Sequence, residues 1–117
     1  MHIFIKNLRL KTIIGINDWE RHEKQDVVIN VELELGGSQA GETDCIDDTV
    51  NYKSLTKNII REVEQSQFYL LEKMAHRILQ LALQDNRVAR ARVEVDKPGA
   101  LRFADSVSVS CSAQREQ

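Results

Sequence analysis

Strict alternation of apolar and polar positions marks the clearest element of this chain. Val27, Ile29, Val31, Leu33 and Leu35 share one parity, and Val28, Asn30, Glu32 and Glu34 share the other. Such a run predicts a strand with one buried and one wet face, ended by Gly36-Gly37-Ser38. Residues 3–16 alternate in two pieces. Ile3 and Ile5 lie on one parity, Leu8 and Leu10 on the other. A parity switch inside a strand predicts a bulge near Lys6-Asn7. Gly15 interrupts the apolar end of this strand, which marks a bend or a close approach of another group. Residues 17–24, with Asp18-Trp19-Glu20-Arg21, read as a connecting loop, and residues 38–50 as another. The period then changes. Leu55, Ile59, Ile60 and Val63 form a helical stripe within residues 52–66, with Asn51 placed to cap it. Leu71, Met74, Ala75, Ile78 and Ala82 form a second stripe within residues 70–84, which Asp85-Asn86 ends. Alternation returns in Ala89, Ala91, Val93 and Val95, and again over residues 104–112.

The order is therefore ββααββ. Strands flanking a helix pair predict an α+β fold, with an antiparallel four-stranded sheet and both helices on one face. No linker, repeat or low-complexity run divides residues 1–117, so a single domain is expected. Helices on one side leave the other face of the sheet uncovered. Four strands also leave two open edges, which closure into a ring of subunits would remove. A homo-oligomer is expected on those grounds.

Composition narrows the function classes. The 42% hydrophobic and 29% charged fractions are ordinary for a soluble domain. Net charge is −2, with no basic block and no arginine–aromatic interleaving, which argues against nucleic acid. No apolar stretch approaches the length that crosses a bilayer, which argues against a membrane partner. Met1-His2-Ile3-Phe4-Ile5-Lys6 reads as a strand rather than a secretory leader, so the cytoplasm is the expected compartment. A disulfide between the distant Cys45 and Cys111 is not expected there. Cys111 continues the parity of Val107 and Val109 as a small core residue, while Cys45 lies in a polar loop. His2, His22 and His76 form no H-x-H or H-x-x-x-H pair, so spacing points to no metal site.

Four polar residues fall at element boundaries. Glu20 ends the first loop, Tyr52 opens the first helix, Glu72 lies in the first turn of the second, and Lys97 ends the third strand. Pro98-Gly99 fixes the backbone after Lys97, so a rigid scaffold can aim its ammonium. A carboxylate such as Glu72 matches two parallel N–H donors of a guanidine-like heterocycle, and a helix N-terminus helps keep it ionised. A phenol such as Tyr52 can relay a proton. Glu20 can hold the Lys97 ammonium or a substrate hydroxyl. Each residue also has an ordinary reading, as a solvated lysine, a loop acid, a helix-start acid or an amphipathic tyrosine. Singly, none outweighs it.

The combination carries more. Ile13-Ile14-Gly15-Ile16 with Trp19-Glu20, Gln25-Asp26-Val27-Val28 and Asp48-Thr49-Val50-Asn51-Tyr52 are followed by Phe68, Leu70-Leu71-Glu72 and Asp96-Lys97-Pro98-Gly99-Ala100-Leu101. No one segment is specific; their order and spacing are. In them the chain resembles the dihydroneopterin aldolase family, including its close relative dihydroneopterin triphosphate 2'-epimerase, over nearly its whole length. The resemblance implies the tunnelling fold (T-fold), in which ββααββ subunits form tetrameric β-barrel rings that commonly stack as octamers. It places active sites between adjacent subunits and implies a small pterin substrate with no cofactor and no metal. Glu72 would anchor the aminopyrimidinone edge of the pterin, helped by backbone groups at Leu71 and Val50. Lys97 would be the general base, Tyr52 would assist proton transfer, and Glu20 would orient the lysine and the substrate side chain. The implied reaction is retro-aldol cleavage, with the substrate's own C=N system taking the electrons, so no Schiff base is needed. A base lysine must be neutral part of the time, which burial beneath the ring favours.

Two activities share this chemistry. Release of glycolaldehyde gives the aldolase of folate biosynthesis; re-addition to the other face of the aldehyde gives the 2'-epimerase. Asp18-Trp19-Glu20 and Lys97-Pro98-Gly99 look aldolase-like. Lys6-Asn7-Leu8-Arg9-Leu10, Asn51-Tyr52 with Thr56-Lys57-Asn58-Ile59-Ile60, and Leu101-Arg102-Phe103-Ala104-Asp105-Ser106-Val107-Ser108 look epimerase-like. The loop beside the site bears most directly on chemistry, so the aldolase is the leading expectation and the epimerase the alternative. A pterin-binding ring without turnover is the third reading, disfavoured because all four expected site residues are present.

Overall fold

The computed structural model describes residues 1–115. The elements are β1 (His2–Ile14), a 3-10 turn (Asp18–Arg21), β2 (Gln25–Leu35), a short α1 (Ala40–Thr43) and a second 3-10 turn (Ile46–Asp48). Then come α2 (Tyr52–Gln65), β3 (Gln67–Phe68), α3 (Leu71–Ala82), β4 (Val88–Pro98) and β5 (Ser106–Gln114). The sheet order is β3-β1-β2-β4-β5. All pairings are antiparallel except that of β1 with β3.

The parity switch in β1 is a bulge. Ile5 pairs with Val31 and Leu8 with Ile29, so Lys6 and Asn7 together oppose Asn30. Asn7 adopts φ +53, and its amide donates to Asn30 Oδ1 at 2.9 Å. The extra residue turns both apolar pairs of β1 toward the same core. That core joins Val27, Ile29, Val31 and Leu33 of β2 to Leu55, Ile59 and Val63 of α2 and to Met74, Ala75 and Ile78 of α3. Both helical stripes are thus buried as their spacing predicts, and Asn51 caps α2 by accepting from the Ser54 amide at 3.2 Å.

Three expectations need correction. Among the described residues the sheet has five strands, because Gln67-Phe68 adds to the end of β1; a two-residue strand carries no period to read. The loops at 17–24 and 38–50 contain short helical turns. The last strand runs 106–114 rather than 104–112, because residues 101–105 turn before it begins. Lys97 still pairs with Val107, and the ladder ends at Pro98–Ser106. Cys111 is half-buried against the core and Cys45 is exposed, both as free thiols.

The face without helices is wet. Asn30, Glu32 and Glu34 stand opposite Glu94, Arg92 and Arg90. Among the described residues, β5 has an unpaired outer edge, and β1 is paired on its outer side only at Ile13-Ile14. Among the described residues, no helix is long and apolar enough to cross a membrane.

Candidate active site

The site begins where β1 ends. Ile14 is buried in the core, and Gly15 turns the chain with φ +129, a state that side-chain-bearing residues rarely adopt. The turn at Asp18–Arg21 then folds Glu20 back beneath the strand end, leaving it 4% exposed. Buried carboxylates need partners, and Glu20 has four. Its Oε1 accepts from the Asn17 amide at 3.2 Å and from Asn17 Nδ2 at 2.7 Å. Its Oε2 accepts from Gln25 Nε2 at 2.9 Å and from Lys97 Nζ at 2.5 Å. Gln25 is itself fixed by donating to the Ile14 carbonyl at 2.7 Å.

Lys97 comes from the far end of β4 and points at this carboxylate. Its side chain is only 12% exposed, so the solvated strand-end reading fails. A carboxylate offers about four acceptor positions, and those of Glu20 are taken. Glu20 therefore holds the lysine through one of them.

The Lys97 hydrogen bond lowers the Glu20 pKa from 4.5 to about 2; burial opposes this, while Gln25, the Asn17 amide and the charge of Lys97 assist. A folded-state value below the unfolded one stabilises the fold above the unfolded value, and that stability is lost as pH falls toward the folded value. Wild-type protein is therefore expected to lose part of its stability between pH 4.5 and about 2 through this group. Thermal unfolding of wild type and Glu20→Gln over that range checks it. The variant should show a shallower dependence on pH; equal slopes would sink the assignment.

A cleft of about 270 Å³ opens above the pair. The end of β1, Glu20, Lys97, Ala100 and the Tyr69-Leu70-Leu71 link line it. Leu70 precedes α3 and makes no side-chain cap to it, so the first amides of α3 receive no bond from that side chain. Glu72 is exposed in the first turn of α3, next to Leu71. The structure thus gathers Glu20, Lys97 and Leu71, with Glu72 adjacent. It does not bring Tyr52 or Val50 to this cleft. Tyr52 is exposed at the start of α2, and Val50 is buried beside a different cleft with Asn51, Ser54 and Leu55. A third cleft, near Gly36, Gly37 and Arg87, sits at the opposite end of β4. Arg87 there is engaged with the Thr49 and Asp47 carbonyls and with Asp85, which closes the loop.

Sequence reasoning assigned no role to Asn17, Arg21 or Gln25. Asn17 could have been found, since Asn-x-x-Glu before a helical turn is a capping pattern. Gln25 and Arg21 act on backbone carbonyls of other segments, which no local pattern reveals.

Residues 3–112 match the family model described as dihydroneopterin aldolase. The chain belongs to the dihydroneopterin aldolase family. It is 48% identical over 113 residues to the dihydroneopterin triphosphate 2'-epimerase of Escherichia coli (strain K12), covering 97% of this chain and 94% of that protein. It is 30% identical over 107 residues to the dihydroneopterin aldolase of the same strain, covering 92% and 88%. The crystal structure of E. coli dihydroneopterin aldolase in complex with neopterin aligns with a TM-score of 0.90 at 28% identity, covering 97% of this chain and 98% of that one. The fold is the tunnelling fold of that family, as the resemblance implies, and the chain is an enzyme of its aldolase–epimerase group.

Proposed function

We propose that this enzyme is a dihydroneopterin triphosphate 2'-epimerase. The observation that carries the reading is the contrast just given, 48% identity to an epimerase against 30% to the aldolase of the same organism. It reverses the order expected from sequence alone. That order rested on Asp18-Trp19-Glu20 and Lys97-Pro98-Gly99. Of these residues only Glu20 and Lys97 line the cleft, and both activities need them. The aldolase remains the second reading, supported by the neopterin complex of a close structural neighbour. The buried Lys97–Glu20 pair speaks against a ring without turnover, since burying a charge pair gains little stability over an apolar one.

The arrangement supports the following chemistry. Glu72 accepts from the paired N–H groups of the pterin, and amides at the start of α3, Leu71 among them, meet the ring. Lys97 Nζ, as the base, takes the proton of the 2'-hydroxyl. The C1'–C2' bond breaks and its electrons enter the dihydropterin C=N, giving an enamine and a two-carbon aldehyde. In the epimerase the aldehyde turns, the enamine carbon attacks its other face, and the new 2'-alkoxide recovers a proton from the Lys97 ammonium. In the aldolase the aldehyde leaves and C1' is protonated instead. Glu20 keeps the lysine aimed throughout.

At about 270 Å³ the single-chain cleft lies below the range of roughly 300–1,000 Å³ common for small-molecule sites. Completion by an adjacent subunit, bringing Tyr52 and the Val50 backbone, fits that volume, the unpaired edges of β1 and β5 and the wet sheet face. Light scattering should then give a tetramer or octamer.

Incubation with dihydroneopterin and with its triphosphate tests the function. The expected product is the 2'-epimer of the triphosphate, with little glycolaldehyde. Glycolaldehyde from the free substrate as the main product would favour the aldolase. Binding with neither product would overturn both.

A further inference from the structure

The cleft has two walls. One is the end of β1 with the turn after it, from Gly15 to Glu20; the other is the Tyr69–Leu71 link into α3. The backbone joins them weakly. Strand β3 pairs with β1 only at Ile13–Gln67 and Ile14–Phe68, and the Gly15 amide adds one bond to the Phe68 carbonyl at 3.2 Å.

Arg21 supplies the rest. Its Nη1 donates to the Gly15 carbonyl at 2.9 Å and to the Phe68 carbonyl at 3.0 Å. Its Nη2 donates to the Gln67 carbonyl at 2.7 Å. The guanidinium carbon lies 3.9 Å from the centroid of the Tyr69 ring. One planar group therefore spans both walls. Glu20 precedes Arg21 in the same turn, so fixing Arg21 also fixes the Glu20–Lys97 pair. On the other wall, Tyr69 leads through Leu70 and Leu71 into the first turn of α3 and Glu72.

An arginine beside a site for a triphosphate invites a phosphate-binding role. Here both Nη1 hydrogens and one on Nη2 already meet carbonyls, and the group is stacked on Tyr69. A lysine would not substitute, because a single ammonium lacks the flat fork that reaches several carbonyls while stacking on a ring.

We propose that Arg21 is a positioning residue that keeps the base wall, with Glu20 and Lys97, in register with the anchoring wall, with Leu71 and Glu72. The kinetic consequence rests on the proposed function; the structural one does not. Substrate still binds the anchoring wall when the clamp is lost, but the 2'-hydroxyl no longer meets Lys97.

The test uses the full chain with Arg21→Ala and Arg21→Lys. Misplacement by about 1 Å can cost about 100-fold, so kcat for the triphosphate should fall about 10–100-fold in Arg21→Ala while KM stays within about 3-fold. Arg21→Lys should recover little of it. Free guanidinium at tens of millimolar, against sodium chloride at equal ionic strength, should restore part of kcat in Arg21→Ala and none in Lys97→Ala. Amide exchange at Gly15 should accelerate while that of Val31 and Val93 in the central strands is unchanged. Wild-type kcat per folded molecule, or a loss shared equally by kcat and folded fraction with Gly15 exchange unaltered, would overturn the proposal. If wild type turns over neither pterin, the proposed function fails, and Arg21 is then decided by Gly15 exchange alone. If Arg21→Ala does not fold, Arg21→Lys is read by the same criteria.

Discussion

Lys97→Ala should lower turnover by about 10³-fold, within the range of about 10²–10⁴ expected for loss of a positioned general base, while pterin affinity changes only a few-fold. The lysine reaches the cleft from β4, whereas Leu71 and Glu72 belong to α3. Removing it leaves the anchoring wall whole. Glu72→Ala is expected to do the reverse, raising KM much more than it lowers kcat, because a charge-assisted pair to the ring edge acts on bound substrate and transition state alike. Stability must be measured beside activity. Lys97→Ala strands a carboxylate that is 4% exposed, and breaking a buried ion pair costs about 3–5 kcal/mol. Three donors remain on Glu20, from Asn17 and Gln25, so the loss should fall at the low end. Rates are therefore compared per folded molecule, from single-turnover measurements below the melting transition. Lys97→Ala with more than about a tenth of wild-type activity would remove Lys97 from the base role.

How much of this was legible beforehand depended on whether a feature was local. The β1 bulge could be read because a one-residue insertion inverts the parity of everything after it, from Ile3 and Ile5 to Leu8 and Leu10. The helices could be read because Leu55, Ile59 and Val63, and Met74, Ala75 and Ile78, repeat at helical spacing and pack where that spacing directs them. The Lys97–Glu20 pair lay beyond periodicity, since 77 residues separate its members; their residue types allowed the pairing, and a resemblance covering nearly the whole chain gave it weight. β3 was missed because two residues define no period. Arg21 was missed because its acceptors are backbone carbonyls, which every residue type carries. The weight first given to Asp18-Trp19-Glu20 treated nearness in sequence as nearness to the chemistry. In the fold, Trp19 is 56% exposed, and only Glu20 of the three lines the cleft.

Gly15→Ala is expected to be the most damaging single-methyl change in the chain. At φ +129 an alanine is strained, at about 1–3 kcal/mol. Its Cβ would also fall on the carboxyl group of Glu20, well inside any contact distance. That carboxyl cannot swing aside cheaply, because Asn17, Gln25 and Lys97 hold it. Moving it breaks the buried pair, at about 3–5 kcal/mol. Gly37→Ala isolates the strain, since Gly37 has φ +76 with nothing near the position a Cβ would take. The expected order in chemical unfolding is a loss of about 1 kcal/mol for Gly37→Ala and several times that for Gly15→Ala, which should also lose activity. A cycle with Glu20→Ala separates the causes. If the collision is the main term, Gly15→Ala should cost only the backbone strain, about 1–3 kcal/mol, once the carboxyl is gone. The full cost persisting undiminished in that background would assign the effect to the backbone alone. Glycine at this position would then serve the turn and not the approach of Glu20 to Lys97.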